Sequence, residues 1–473
     1  MRMLVALMGC CAASLLVESS RVSAQSPASA VGRRFPSEMR ELVDEQTGLP
    51  MVALTTSQFS DAKPYQTHTT WTSDGQWILF RSERAGDEQQ AFVVNERTGD
   101  IIQLTDGPGN GTGSLNLSRK AMKLYFMRGG RRRGEAVAAT RTQPQLIELN
   151  IGALIDDSMA GAVKQPAAYE RLVASLPDDL RDSGGFGIDA DETKAYWGVA
   201  PREAGDEREG RGRDRSRRGA GRGLPDRDEL LRRNSNAEET AEEARARFAA
   251  AGQGRGGIRA IDLATGEIST VIDVDFRMGH VQANPWEPGE IIYCHETGGD
   301  APQRVWSVRA DGTNNRPLYV ETPDEWITHE TVATRDELMF NILGHLPRLR
   351  SRPTGIAVLN LRTNHVKLLG QLEEPLGEGR LGGLWHCNGS PDGRWAVGDT
   401  FGGAIWVIDR ANGKQTMLTA GHRMRPDHAH PIFSPDSRRV LIQSGKLSDG
   451  EALNLMVIAL PESLLSEPPA RTP

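Results

Sequence analysis

The chain has 473 residues, 38% of them hydrophobic and 25% charged, with a formal net charge of −7. That balance excludes a chain disordered throughout and a nucleic-acid binder that relies on bulk positive charge, so any anionic ligand must be met by a local basic site. With Gly 51 and Pro 26 the composition is rich in turns, and beyond the extreme N-terminus no apolar run approaches the roughly 20 residues needed to cross a bilayer.

Arg2 precedes an apolar stretch from Met3 to Val17, and Val22-Ser23-Ala24 supplies the small residues of a cleavage site. Residues 1–24 therefore read as a signal peptide, with a periplasmic or secreted mature chain and no transmembrane segment in it. A lipoprotein signal at Leu7-Met8-Gly9-Cys10 is the weaker alternative, because the apolar stretch continues past that cut. Cys10 and Cys11 leave with the signal, so only Cys294 and Cys387 remain. That is too few for a disulfide framework, and their pairing is left open.

After a linker over 25–36, the span 37–466 reads as one repeat domain, followed by a tail at 467–473. Met51 to Thr56 is a spare strand ahead of the first repeat. The segment Trp71-Thr72-Ser73-Asp74-Gly75-Gln76 is a turn that feeds the strand Trp77 to Phe80. A second strand at Ala91 to Val94, a turn at Arg97 to Asp100 and a strand at Ile101 to Leu104 complete the unit. The same order returns at Ser390-Pro391-Asp392-Gly393 and begins again at Ser434-Pro435-Asp436. Asp392 and Asp436 are 44 residues apart, within the roughly 40–45 of a four-stranded propeller blade. Weaker copies near Leu117, Ile188, Pro285 and Val332 bring the count to seven. A lone four-stranded sheet cannot bury both faces, whereas a closed ring can. The fold class is all-β, a seven-bladed β-propeller that the spare strand locks by completing the last blade.

The span 201–256 breaks this pattern. Arg211, Arg213, Arg215, Arg217 and Arg218 crowd together, but Asp206, Glu207, Glu238, Glu239, Glu242 and Glu243 nearly balance them. It reads as a charged, solvated, disordered insertion within a blade rather than a polyanion-binding arm, with a short polar helix possible over Asp226 to Ala250.

A propeller gathers residues from distant blades around one channel, and the informative histidines lie in the second half of the chain. His428-Ala429-His430 has the spacing that on a strand turns both rings to one side, a start for a chelate. His386 stands just before Ser390-Pro391-Asp392-Gly393, and the His428/His430 pair stands just before Ser434-Pro435-Asp436. His329 and His280 fall at the same place in the two preceding units. Four consecutive blades thus offer imidazoles to one mouth, either as ligands of a metal or as spacers and caps. Asp399 and Asp409 read as turn residues, and no nucleophile elbow is present.

Gly279-His280, Cys294-His295-Glu296, Arg304-Val305-Trp306, Asp311-Gly312-Thr313-Asn314, Thr328-His329-Glu330 and His428-Ala429-His430-Pro431 together resemble the oligogalacturonate lyases, polysaccharide lyase family 22, in the same order. The resemblance runs from about Arg34 to Ser463. It implies a seven-bladed propeller with a divalent metal, usually Mn2+, that cleaves short uronate oligomers by β-elimination. It also implies His386, His428 and His430 as metal ligands, His329 as the base and Arg304 as a contact for the substrate carboxylate. His280, His295 and Arg425 are candidate substrate contacts. Arg425 stands where the family has a glutamine ligand, and a guanidinium cannot ligate a cation, so either the metal site is altered, or Asp427 or another side chain substitutes, or Arg425 binds a second substrate carboxylate while three imidazoles, substrate and water complete the coordination. The partner is an acidic oligosaccharide, not nucleic acid, and the oligomeric state is not legible. Two other readings stay open: an exported, non-catalytic propeller of the TolB type, and a relative that binds uronates without cleaving them.

Overall fold

The computed structural model describes residues 29–86, 88–129, 143–202, 246, 253–296, 304–321, 326–343, 354–377 and 380–466. The stretch read as a signal peptide, the tail and nearly all of the 201–256 insertion lie outside them.

Seven antiparallel sheets form a ring, as the repeat predicts. Blades 2 to 6 each take four consecutive strands. In blade 5 these are Trp326–Thr334, Glu337–Leu343, Gly355–Asn360 and Val366–Gln371, and in blade 6 Leu384–Gly389, Trp395–Thr400, Ile405–Asp409 and Gln415–Thr419. First strands of several neighbouring blades touch, as Leu180–Ile188 meets Met278–Ala283 and Trp326–Thr334 meets Leu384–Gly389. Blade 2 also carries a helix, Ile151–Ala160, capped by the Asn150 side chain. The insertion connects Lys194–Pro201 to Gln253–Asp262, the two middle strands of blade 3.

The turns between first and second strands repeat one geometry. Ser390 Oγ donates to Asp392 Oδ1 and accepts from Trp395 N at 2.8 Å, while Arg394 N bonds the same carboxylate. Gly393 follows with φ +74°, a left-handed conformation that a residue without Cβ adopts at little cost. Ser434, Asp436 and Arg439 repeat the pattern. These turns deliver apolar strands such as Trp77–Ser82 and Trp395–Thr400 between neighbouring blades, buried on both faces. Outer strands such as Val366–Gln371 are half exposed. Each fully buried Leu, Ile or Val contributes about 1.5–3 kcal/mol, and the resulting clusters run from blade to blade around the ring.

The spare strand closes the ring as expected. Pro50–Ala53 pairs with Asn454–Ala459 of blade 7, placing Met51 opposite Ile458, and Arg40–Val43 adds an outer edge. Arg34–Phe35, inside the stretch read as linker, pairs with Ile101–Gln103 of blade 1. The N-terminal segment therefore fastens blade 7 and blade 1 at once.

Candidate functional site

Inner strands of this ring do not pair straight through. Register shifts interrupt them between Gly279 and Gln282, Thr328 and Thr331, and Leu384 and Cys387. Such bulges re-aim side chains. His280 and His329 sit on two of these interruptions with φ +49° and +58°, and His386 sits on the third. His430 has φ +47° just ahead of Ile432–Phe433 in blade 7. Three non-glycine residues in a left-handed conformation at equivalent places are a costly arrangement that fixes where the imidazoles point.

Blade 1 departs further from the rule. Its inner edge is reduced to bridges between Ala62 and Arg81 and between Trp71 and Ile78, and the residues between them loop into the channel. This loop ties distant blades together. Lys63 N donates to Gln443 of blade 7, Gln66 O accepts from Asn388 of blade 6, and a His68 ring nitrogen meets the carbonyl of Phe186 in blade 3. The Tyr65 ring lies edge-on to His430 at 5.1 Å, His280 at 5.9 Å and His386 at 6.3 Å.

The imidazoles predicted from the sequence do come together. Ring centroids of His386 lie 3.8 Å from His430, 4.1 Å from His329 and 5.2 Å from His428. The His428-Ala429-His430 segment is not a strand, as its spacing suggested, but a loop. Its rings are 6.5 Å apart and meet through His386.

Asp399 corrects another expectation. It is not a turn residue but a fully buried member of Trp395–Thr400. Its carboxylate accepts the backbone N–H groups of His386, Ala429 and His430 at 2.8–3.1 Å and the His386 Nδ1 at 3.1 Å. Burial raises its pKa and the nearby His428 and His430 oppose that rise. Asp409 is the last residue of Ile405–Asp409 and heads the turn that follows, accepting from Ala411 N. Tyr65, Gln66 and Lys63 were not anticipated either. Gln66 Oε1 holds His430 Nδ1 at 2.8 Å, while its buried Nε2 has no hydrogen-bond partner among the described residues. Burial pushes the Lys63 ammonium down to about 7, although Asp399 and Asp427 pull it back up.

The electrostatics keep two of these rings neutral. Burial, then the neighbouring imidazoles, holds His329 and His386 well below the usual histidine range. His329 Nδ1 meets the carbonyl of Trp385, which fixes a proton there and leaves Nε2 its lone pair. By the same logic the Asp399 bond leaves Nε2 of His386 as a lone-pair donor. Ligand atoms of His386, Asp399 and His428 lie within 4.8 Å of one another. An imidazole-rich donor set braced by buried carboxylate and amide groups fits a divalent transition metal such as Mn2+ or Zn2+. Asp427 lies 3.3 Å from His430 Nε2, next to this set. Despite its burial, the histidines around it hold its carboxyl below the usual range.

The other predicted residues divide. Arg304 is buried, 2% exposed, with Nε 3.4 Å from Glu330 Oε2, so its guanidinium already faces a protein carboxylate. Burial opposes its charge, but Glu330, Cys294 and Glu296 outweigh that and raise its pKa. His280 borders the channel beside Glu296 and Glu330. His295 packs on Phe276 at 4.5 Å, on the strand face opposite Cys294. Arg425 is exposed on its loop, with no hydrogen bond or ion pair among the described residues, and is not drawn into the imidazole cluster. Cys294 and Cys387 are both buried and unpaired with each other.

Fold and site together define a class: a seven-bladed propeller whose channel mouth is lined by imidazoles from consecutive blades. Within that class the chain is oligogalacturonate lyase-like. It is 25% identical over 201 residues to the oligogalacturonate lyase of Dickeya dadantii (strain 3937), a match covering 39% of this chain and 51% of that protein. The oligogalacturonide lyase of Pectobacterium atrosepticum matches to the same extent, so the chain spans about half the length of the curated relatives it matches. A solved structure of an oligogalacturonate lyase in complex with manganese shares 21% identity, with a TM-score of 0.69 over 92% of this chain and 100% of that one. The oligogalacturonate lyase of Vibrio parahaemolyticus shares 17%, with a TM-score of 0.66 over the same shares. No family model matches the chain.

Proposed function

We propose that this protein is a lyase that uses a divalent metal, Mn2+ in the first instance, to cleave short uronate oligosaccharides such as oligogalacturonates by β-elimination. One observation carries the reading: His329, His386, His428 and His430 converge on one channel mouth, with the rings of His329 and His386 held neutral and oriented by Trp385 O and Asp399. A module that only binds a partner has no need of that arrangement.

His386, His428 and His430 would hold the metal, with Asp399 and Gln66 orienting two of the rings. When bound, the metal supplies Lewis-acid stabilisation of charge on the substrate carboxylate. The C5 proton of a uronate is weakly acidic. His329, with Nδ1 fixed on Trp385 O, takes it at Nε2. Loss of the C4 oxygen then leaves a 4,5-unsaturated product without consuming water. Arg304, buried and paired with Glu330 behind His280, holds that carboxylate in place. Export by residues 1–24 places the activity in the periplasm or outside the cell.

The test is the ultraviolet absorbance of the unsaturated uronate, followed with purified mature protein, di- and trigalacturonate, and manganese added or chelated away. A rise that requires metal supports the reading. No rise on any uronate oligomer, with metal bound, would replace it with a uronate- or protein-binding propeller.

A further inference from the structure

On the blade 4 side of Tyr65 a second group of donors gathers, of different composition. His280 Nε2 lies 3.3 Å from Glu296 Oε2, and Cys294 Sγ lies 3.6 Å from the same oxygen. One ligand atom from each residue falls within 4.8 Å of the others, close to the separations of ligands that share one cation at 2.0–2.3 Å. Two independent features point to a ligand here. Glu330 Oε1, fully buried, makes no hydrogen bond and stands 3.8 Å from His280 Nδ1. Gly279 pairs with Cys294, and a Cβ there would come within 2.7 Å of Glu296 Oε2, so the glycine leaves the carboxylate its place.

We infer that His280, Cys294 and Glu296 form a second divalent-cation site, separate from the imidazole cluster and suited to a thiophilic ion such as Zn2+. In this arrangement His280 binds through Nε2 and turns Nδ1–H towards the unpartnered Glu330 Oε1, 3.8 Å away, on the side where a carboxylate sets a ligating histidine's tautomer. Cys294 releases its proton to solvent on coordination and binds as the thiolate. Three protein ligands leave a fourth position, and His280 and Glu296 both border the channel through which an ion enters. Charge favours the ion as well. Glu296, Glu330 and Glu321 surround the guanidinium of Arg304, with the exposed Arg277 the other cation acting on Glu296. Thiolate ligation separates the two clusters by metal preference, since manganese favours nitrogen and oxygen donors.

The inference stands apart from the lyase reading, because metal alone tests it. Equilibrium dialysis of the purified mature chain should give two Zn2+ per chain but one Mn2+. Cys294→Ser and Glu296→Gln should each lower the Zn2+ count to one. His386→Ala should also leave one, held at the blade 4 site. Cd2+ should produce a thiolate charge-transfer absorbance in wild type, His386→Ala and Cys387→Ser, and none in Cys294→Ser. Glu296→Gln removes a partly exposed carboxylate without touching the core, so it answers even where Cys294→Ser unfolds. A Zn2+ count that is the same in Glu296→Gln as in the wild type, or a Cd2+ absorbance that persists in Cys294→Ser, overturns the site.

Discussion

The two sides of the channel mouth use one backbone device for two chemistries. On blades 5 to 7, interrupted inner strands and the loop before Ile432 present imidazoles, braced from behind by Asp399 and Gln66. On blade 4 the same kind of interruption presents His280, but the neighbouring strand answers with Cys294 and Glu296, and the bracing carboxylate is Glu330 from blade 5. The bulge sets where a ring stands, and the adjoining strand decides what surrounds it. Tyr65 is the boundary, since its ring meets His280 on one side and His386 and His430 on the other.

Substitutions break this comparison most strongly on the imidazole side. His428→Ala should remove both the Mn2+ and measurable elimination. His329→Ala should leave Mn2+ bound and lower the rate about 10²–10⁴-fold, the usual contribution of a positioned base. Metal analysis beside kinetics separates the two, and equal metal loss in both variants would mean that their roles are confused.

Acid should weaken the same side through the blade 6 and 7 junction. His422 is buried between Thr419 and Ser444, and burial, with Lys446 nearby, pushes its pKa down to about 4. The depressed histidine is stable as the neutral form. Its contribution is complete above the unfolded value near 6.5 and is lost as pH falls from there towards 4, about 3 kcal/mol in all. Denaturant unfolding at neutral pH and about pH 4 should show this slope in the wild type and a flatter one in His422→Asn. Equal slopes would remove His422 from the account.

The bracing groups sharpen the comparison further. Asp399→Asn should weaken Mn2+ binding about 10–100-fold, the usual cost of losing a carboxylate behind a ligating histidine. Zn2+ on the blade 4 side should be untouched, and titration of both ions in one variant reads this directly. The smallest change is expected from Arg425→Ala, which should leave Mn2+ affinity within about twofold, because surface substitutions away from partners rarely exceed about 0.5 kcal/mol. A larger loss would bring Arg425 back to the metal.

The ring was legible because Ser-Pro-Asp-Gly turns recur at a blade's spacing, and the turn chemistry of Ser390 and Ser434 is what that sequence demands. The histidines were legible because they hold one phase relative to those turns. Asp399 was not, since its role depends on backbone amides of Ala429 and His430 that only folding brings near. A carboxylate within the apolar strand Trp395–Thr400 was the available signal, as a buried acid requires partners. The loop carrying Tyr65 and Gln66 had no signal of this kind. It exists because blade 1 lacks a continuous inner strand, and nothing in the local sequence marks that absence. Arg425 shows a different limit, because alignment with a ligand position does not set where a side chain on an exposed loop points.

The fastening of blade 7 also sets a clock. Pro50–Ala53 waits for Asn454–Ala459, a partner some 400 residues further along the chain. At the usual 5–20 residues per second of synthesis, that partner arrives roughly 20–80 s later. Throughout that interval the early strands offer an unpaired edge, so a ring held shut so firmly at the end is most vulnerable to wrong pairing while it is being made.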